Sequence, residues 1–412
     1  MKQQLLNAVN KLEFNSLYTN EDFIKETKYI FRNISKSKII NNILITQFNG
    51  IGDAILSTGF IESIHTLFPT ANIIIICGNN CKEVFELIPY IKLYTVNLDN
   101  TSFYTLLKSE INFIYDNNLL NIDLAISCNW GSKILPALFF NYLTGCKNTI
   151  GFGAYYPLEQ YFDKNYFNLT FGNIYNFDND ILEYNIINHA EIINDIERKK
   201  YLLTQINILF NCNQNILYNN KLYLNNTDYN NIKSYITNKY KIVLCLGGGR
   251  LNKKYSISRW QKIINEIINN NITIYLLGGK AEENDANLLK NDNIINLVNK
   301  LTLRESIALI SKCNIYIGHD TALAHVAYIY NLPLLIVSAE GKNKQNYKEK
   351  GLLSYYSRFY STYNNCEFIQ PKENIGECNK YFVENGCMEN KAHCINYIPI
   401  KSILKAYKKL TR

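Results

Sequence analysis

Ile43-Leu44-Ile45-Thr46-Gln47, followed by Asn49-Gly50-Ile51-Gly52-Asp53 and a helical run to Phe68, is the stretch that decides the fold. The first five residues are a short apolar segment of strand length. Asn49-Gly50-Ile51-Gly52 reads as a turn. Beyond Asp53, the residues Ile55, Leu56, Phe60, Ile64, Leu67 and Phe68 recur at helical spacing. Pro69 ends that helix, and Ile73-Ile74-Ile75-Ile76 is the next strand. Strands this uniformly apolar suit a parallel sheet covered on both faces.

Outward from this βαβ unit the alternation continues more weakly. Residues 122–127 read as a strand, 133–142 as a helix, 149–152 as a short strand and turn, and 182–210 as helical. The pattern then restarts. Residues 241–246 form a strand that runs into Gly247-Gly248-Gly249, and 272–277 form one that runs into Gly278-Gly279. Residues 293–297, 315–317 and 334–337 read as further strands, with helices over 258–268, 303–311 and 319–329. Two separate series predict an α/β protein of two doubly wound, Rossmann-like domains, at 43–210 and 241–397, joined by a linker at 211–240. Residues 1–42 read as a helical N-terminal extension. The last helix, 398–412, is expected to cross back to the first domain.

Composition narrows the function. With 412 residues, 47% of them hydrophobic and 19% charged, two sizeable cores can form. The net charge of +8 is mild for this length, and the lysines and arginines form no block of the nucleic-acid-binding kind. The basic tail at Lys401, Lys405, Lys408, Lys409 and Arg412 suits solvent, phosphorylated substrates or an anionic membrane face. No segment reaches the roughly 20 apolar residues of a spanning helix. The N-terminus lacks the features of a secretory signal, so a cytoplasmic location, with peripheral contact at the inner membrane, is expected. Four of the eleven cysteines, Cys366, Cys378, Cys387 and Cys394, cluster late in a loop over 366–394. They form no paired C-x-x-C knuckle, so a metal loop and plain reduced thiols are both open readings.

Four strand-end turns can carry chemistry. Gly50 and Gly52 let the backbone approach a ligand at a helix N-terminus, and Asp53 is either a favourable first-turn acid or a base. A dinucleotide fingerprint would need a third glycine where Ile55 stands, which weakens an oxidoreductase reading. Gly247, Gly248 and Gly249, followed by Lys253, suit a phosphate, although the P-loop spacing is absent. Glu282, after Gly278-Gly279, suits ribose hydroxyls. Asp320, Thr321, Ala322 and His325 open a helix with a carboxylate, a hydroxyl and an imidazole, where Asp320 is also a natural N-cap. Asp178-Asn179-Asp180 matches the D-x-D pattern of metal-dependent sugar transfer, but it lies in an Asn-rich irregular stretch where such a triplet arises by chance.

In order and spacing these elements resemble glycosyltransferase family 9, the ADP-heptose:lipopolysaccharide heptosyltransferases. The resemblance runs through Gly50-Ile51-Gly52-Asp53, Gly247-Gly248-Gly249, Lys253-Lys254-Tyr255, Arg259-Trp260, Leu277-Gly278-Gly279, Glu282 and Gly318-His319-Asp320-Thr321 to His325. It departs at Ala322, where the family has Gly, at Tyr255, where it has Trp, and at His319, where Asn is common. The resemblance implies a GT-B fold, with two Rossmann-like domains facing across a cleft, and inverting transfer from a nucleotide-sugar, an ADP-sugar, without a metal or other cofactor. It implies Asp53 as the base, Lys253 and the 247–249 amides at the diphosphate, Glu282 at the ribose, and Asp320, Thr321 and His325 at the donor's sugar and phosphates. The acceptor would be lipopolysaccharide or another surface glycan, bound on the Gly50 and Gly52 side. A GT-B-like sugar-nucleotide epimerase, a nicotinamide oxidoreductase and a non-catalytic nucleotide-sugar-binding protein are the rival readings.

Overall fold

The computed structural model describes residues 1–14, 23, 27–30, 39–97, 103–129, 134–146, 148–152, 183–187, 194–248, 253–339, 359–371 and 393–412. The chain divides into two compact units, Met1–Ile192 with Ile196–Asn220, and Ile193–Asp195 with Lys221–Arg412.

The first unit begins with α1 (Lys2–Phe14). Then come β1 (Asn42–Gln47), α2 (Ile51–Leu67), β2 (Asn72–Gly78), the short α3 (Lys82–Phe85), β3 (Ile91–Val96) and α4 (Phe103–Asp116). They are followed by β4 (Leu124–Ser127), α5 (Ile134–Leu143), β5 (Asn148–Phe152), β6 (Glu183–Ile187) and α6 (Asp195–Leu209). The sheet has six strands in the order β3-β2-β1-β4-β5-β6, all parallel. Its central register sets Ile43 beside Ile73 and Leu124, and Ile45 beside Ile75 and Ile126. The N-terminal extension is not a detached preface. Leu5, Ala8 and Val9 of α1 join Leu107, Ile111 and Ile114 of α4, and Phe140 of α5, in a core over the Leu44–Ile76–Ala125 face of the sheet. Leu5 and Val9 are fully buried, each contributing on the order of 2 kcal/mol. The region expected to be helical from 182 is a strand at its start, β6, at the sheet edge. The first half of the expected linker belongs to this unit: Tyr218 donates a hydrogen bond to the Leu56 carbonyl, and Asn220 accepts one from the Gly59 N–H at 3.0 Å. Gly59 is glycine for that reason, since a Cβ there would lie 2.6 Å from the Tyr218 ring.

The second unit opens with α7 (Asn226–Ile232), capped reciprocally by Asn225 and Asp228. Then follow β7 (Tyr240–Cys245), α8 (Ile257–Ile267), β8 (Ile272–Leu277), α9 (Glu283–Leu288), β9 (Ile294–Asn296) and α10 (Leu303–Ile310). The unit closes with β10 (Ile315–His319), α11 (Ala322–Ile329), β11 (Leu334–Val337), β12 (Cys366–Ile369) and α12 (Ile400–Leu410). The strand order β12-β11-β10-β7-β8-β9, again all parallel, repeats the winding of the first sheet. Helix α8 buries Trp260, Ile263, Ile264 and Ile267, one face at helical spacing. Helix α10 starts at a Thr302–Glu305 capping box, with bonds of 3.2 and 2.8 Å. The final helix packs within the second unit. Ile403 and Ala406 of α12 are buried in the second unit's core, and Tyr407 and Leu410 pack against it, so the apolar face of α12 is already occupied there.

In a doubly wound sheet the strand order reverses at one point, and ligands bind at the carboxyl ends of the strands beside it. Here that point lies between β1 and β4 in the first sheet and between β7 and β10 in the second. Of the four turns singled out from the sequence, three follow β1, β7 and β10, and the fourth follows β8, the neighbour of β7.

Candidate active-site residues

In the first unit, Gly50 occupies the N-cap position of α2 and makes no side-chain cap bond. Gly52 is the second helical residue and Asp53 the third, so Asp53 is a first-turn acid and not the cap. The turn is held from beneath by a residue the sequence reading missed. Asn129, just past β4 and fully buried, accepts a hydrogen bond from the Phe48 N–H. Its amide nitrogen donates to the Thr46 carbonyl at 2.8 Å. Asn129 therefore locks the exit of β1 from the neighbouring strand. Cys81 donates a 3.4 Å bond to the Asn49 carbonyl. Burial pushes the Cys81 thiol up to about 12, and the nearby Asp53 charge adds to the effect.

In the second unit the structure brings five of the predicted residues together. Gly247, Gly278 and Gly279 wrap Glu282: its carboxylate accepts from the Gly279 N–H at 2.9 Å. A Cβ at Gly247 or Gly278 would lie 3.1 or 3.2 Å from its side chain. Gly248 meets Lys253 just as closely, with 2.5 Å between an added Cβ and the Lys253 Cβ. Lys253 Nζ in turn pairs with the Asp320 carboxylate at 2.5 Å, where the side chains are 15% and 5% exposed. Asp320 is therefore an ion-pair partner and not an N-cap. Thr321 takes the N-cap position of α11 without a side-chain cap bond, Ala322 is the first helical residue, and the helix starts after β10 rather than at His319. Burial works to raise the Asp320 carboxyl. Lys253, His325 and the Tyr360 hydroxyl, which donates to Asp320, outweigh it and hold the carboxyl below its ordinary value.

Tyrosines complete the surroundings. Tyr316 donates to the His319 carbonyl at 2.9 Å and meets the Thr321 hydroxyl at 2.9 Å. His325 is buried, 2.8 Å from the Tyr363 hydroxyl and stacked on Tyr360 with 5.5 Å between ring centroids. These partners were illegible because tyrosine is so common along the chain, with 32 residues, that none stood out. Gly318 is required: its φ of +153° disfavours any side chain, and a Cβ would collide with the Cys245 carbonyl.

His319 ties the glycine turn to the lysine segment. Its Nε2 accepts from the Tyr255 N–H at 3.0 Å, so its proton sits on Nδ1, which donates to the Leu246 carbonyl at 2.8 Å. Burial lowers its pKa from the ordinary 6.5 to about 4, and Lys253 and Lys254 push the same way. The folded ring stays neutral where the unfolded one takes a proton. Its contribution is therefore full above pH 6.5 and lost as pH falls through the interval down to about 4. His319→Asn keeps one donor and one acceptor but does not titrate. Stability from urea unfolding at pH 7 and pH 5 should fall about 2 kcal/mol less in the variant than in the wild type. An equal fall would show that His319 is not held neutral.

Gly249 lies outside the described residues, as do Cys378, Cys387 and the Asp178-Asn179-Asp180 triplet. Cys366 starts β12, its thiol pushed up to about 12 by burial, and Cys394 lies 3.5 Å from His393 Nδ1. No group of three metal-ligating side chains occurs among the described residues. Nor is any described helix long and apolar enough to cross a membrane.

The model of glycosyltransferase family 9 (heptosyltransferase) matches residues 180–338. No curated protein matches the sequence. Among solved structures, a glycosyl transferase family 9 protein from Veillonella parvula is similar at 13% identity and a TM-score of 0.66, over 90% of this chain and 97% of that one. The ADP-heptose lps heptosyltransferase II of E. coli is similar at 14% identity and 0.61, over 90% and 98%. The iron-containing dodecameric glycosyltransferase TibC of enterotoxigenic E. coli is similar at 10% identity and 0.51, over 92% and 78%.

Proposed function

We propose that this chain, which the glycosyltransferase family 9 model matches over residues 180–338, is a glycosyltransferase of GT-B fold that moves a heptose from an ADP-heptose-type donor to a hydroxyl of lipopolysaccharide or another surface glycan. One observation carries this reading. Gly247, Gly248, Lys253, Glu282 and Asp320 form one contiguous set at the strand-order reversal of the second sheet, where a nucleotide would be met.

Chemically, transfer with inversion is a single displacement at the anomeric carbon. Asp53 takes the proton of the acceptor hydroxyl as its oxygen bonds to that carbon, and the bond to the nucleoside diphosphate breaks on the opposite side. The departing diphosphate gathers negative charge, which Lys253 and the backbone amides of the glycine turn offset. Those groups supply the charge stabilisation that a divalent metal supplies elsewhere, so the reading is metal-independent. Glu282 accepts from the ribose hydroxyls, and Asp320, Thr321 and His325 hold the donor's sugar and phosphates.

Calorimetric titration of the intact protein with ADP tests the nucleotide half. ADP should bind without added metal, and Glu282→Gln should weaken it by about tenfold, the value of a charged hydrogen bond. Equal affinity for ADP, UDP and GDP, or unchanged affinity in Glu282→Gln, would refute the donor assignment. A requirement for a divalent ion would refute metal independence.

A further inference from the structure

We propose that the solvent face of α12 is a docking surface for a bilayer carrying anionic headgroups. The helix reads Ile400-Lys401-Ser402-Ile403-Leu404-Lys405-Ala406-Tyr407-Lys408-Lys409-Leu410. At about 100° per residue, Lys401, Lys405 and Lys408 fall within an arc of roughly 60°, opposite the buried Ile403 and Ala406. All three are exposed, and none makes an ion pair with an acidic side chain among the described residues. Lys409, on the flank, is the one that does, at 2.5 Å from Glu367. Arg412 follows the helix, also exposed.

A lysine-rich composition does not account for this face. Every other described α-helix that carries a lysine or arginine also carries an acidic residue, as α6 does in its Lys200–Glu197 pair of 2.8 Å and α10 in Arg304 and Glu305. Helix α12 has cations alone. Its apolar side is committed to the second unit's core, so it cannot insert into hydrocarbon as a surface-seeking amphipathic helix does. What remains is a row of ammonium groups about 10 Å long, suited to lie flat on a sheet of negative charge. Tyr397, 57% exposed and three residues before the helix, adds an aromatic of the kind favoured at headgroup depth. The contact would be electrostatic and reversible, weakening as salt shortens the Debye length. It rests on the function proposed above only in that a lipid-linked acceptor gives the docking its use.

The test is sedimentation of the full chain with phosphatidylcholine vesicles, with and without phosphatidylglycerol. Binding is expected only with phosphatidylglycerol and should fade as salt rises. The triple variant Lys401→Gln, Lys405→Gln, Lys408→Gln should partition about a hundredfold more weakly, at about fivefold per lysine. Its melting temperature and ADP titration should match the wild type, which separates a failure of docking from a failure of the donor assignment. No binding to anionic vesicles, or undiminished binding by the variant, overturns the proposal. Equal affinity for a duplex oligonucleotide overturns the choice of a lipid surface.

Discussion

Asp53→Asn is expected to cut turnover by about 10²–10⁴-fold, the contribution of a positioned general base. ADP affinity should be almost unchanged. The position of the residue makes the test clean. Gly50, not Asp53, occupies the N-cap of α2, and the turn is locked by Asn129 from β4. Asparagine keeps the size of the side chain and removes its charge, whose interaction with the helix dipole is worth about 0.3–1 kcal/mol. A melting temperature within a few degrees of wild type with turnover gone identifies a base. Near-normal turnover with a small drop in melting temperature would leave Asp53 as a helix-terminus acid and sink the mechanism.

Lys253→Met is expected to lose on two counts. It strands the buried Asp320 carboxylate, which should cost about 3 kcal/mol of stability. It also removes a cation from the diphosphate, weakening ADP by about tenfold or more. The Lys253–Asp320 pair thus ties the stability of the second unit to the same side chain. Adding Asp320→Asn separates the effects. The double variant should regain most of the stability, because no unpaired charge remains, yet still bind ADP weakly. Denaturant unfolding and calorimetry on the same three proteins decide it. If the double variant binds ADP as the wild type does, Lys253 is a structural partner of Asp320 and not a phosphate ligand.

Both sheets were legible in the sequence because their central strands are nearly pure runs of Ile, Leu and Val bounded by glycine turns. The edges were not. The strand β6, Glu183–Ile187, mixes Glu, Tyr and Asn with two isoleucines, and an edge strand need not be apolar on both faces. The turns after β7 and β8 were found because glycine marks them. The supports of the other two turns were not, since Asn129, Tyr360 and Tyr363 act through tertiary contacts between residues distant in sequence. Asp320 was legible as a polar group at a helix start, but local spacing favours a cap, and only the fold puts Lys253 within its reach.

The docking of α1 bears on how this chain is made. Leu5 and Val9 leave the ribosome about a hundred residues before Leu107 and Ile111, the α4 residues that share their core. At a synthesis rate of about 5–20 residues per second, that is an interval of roughly 5–20 seconds. Throughout it the nascent chain carries the apolar face of α1 without its α4 partners. The first unit cannot close in the order in which it is written. Its opening helix meets its α4 partners only after Leu107 and Ile111 have emerged.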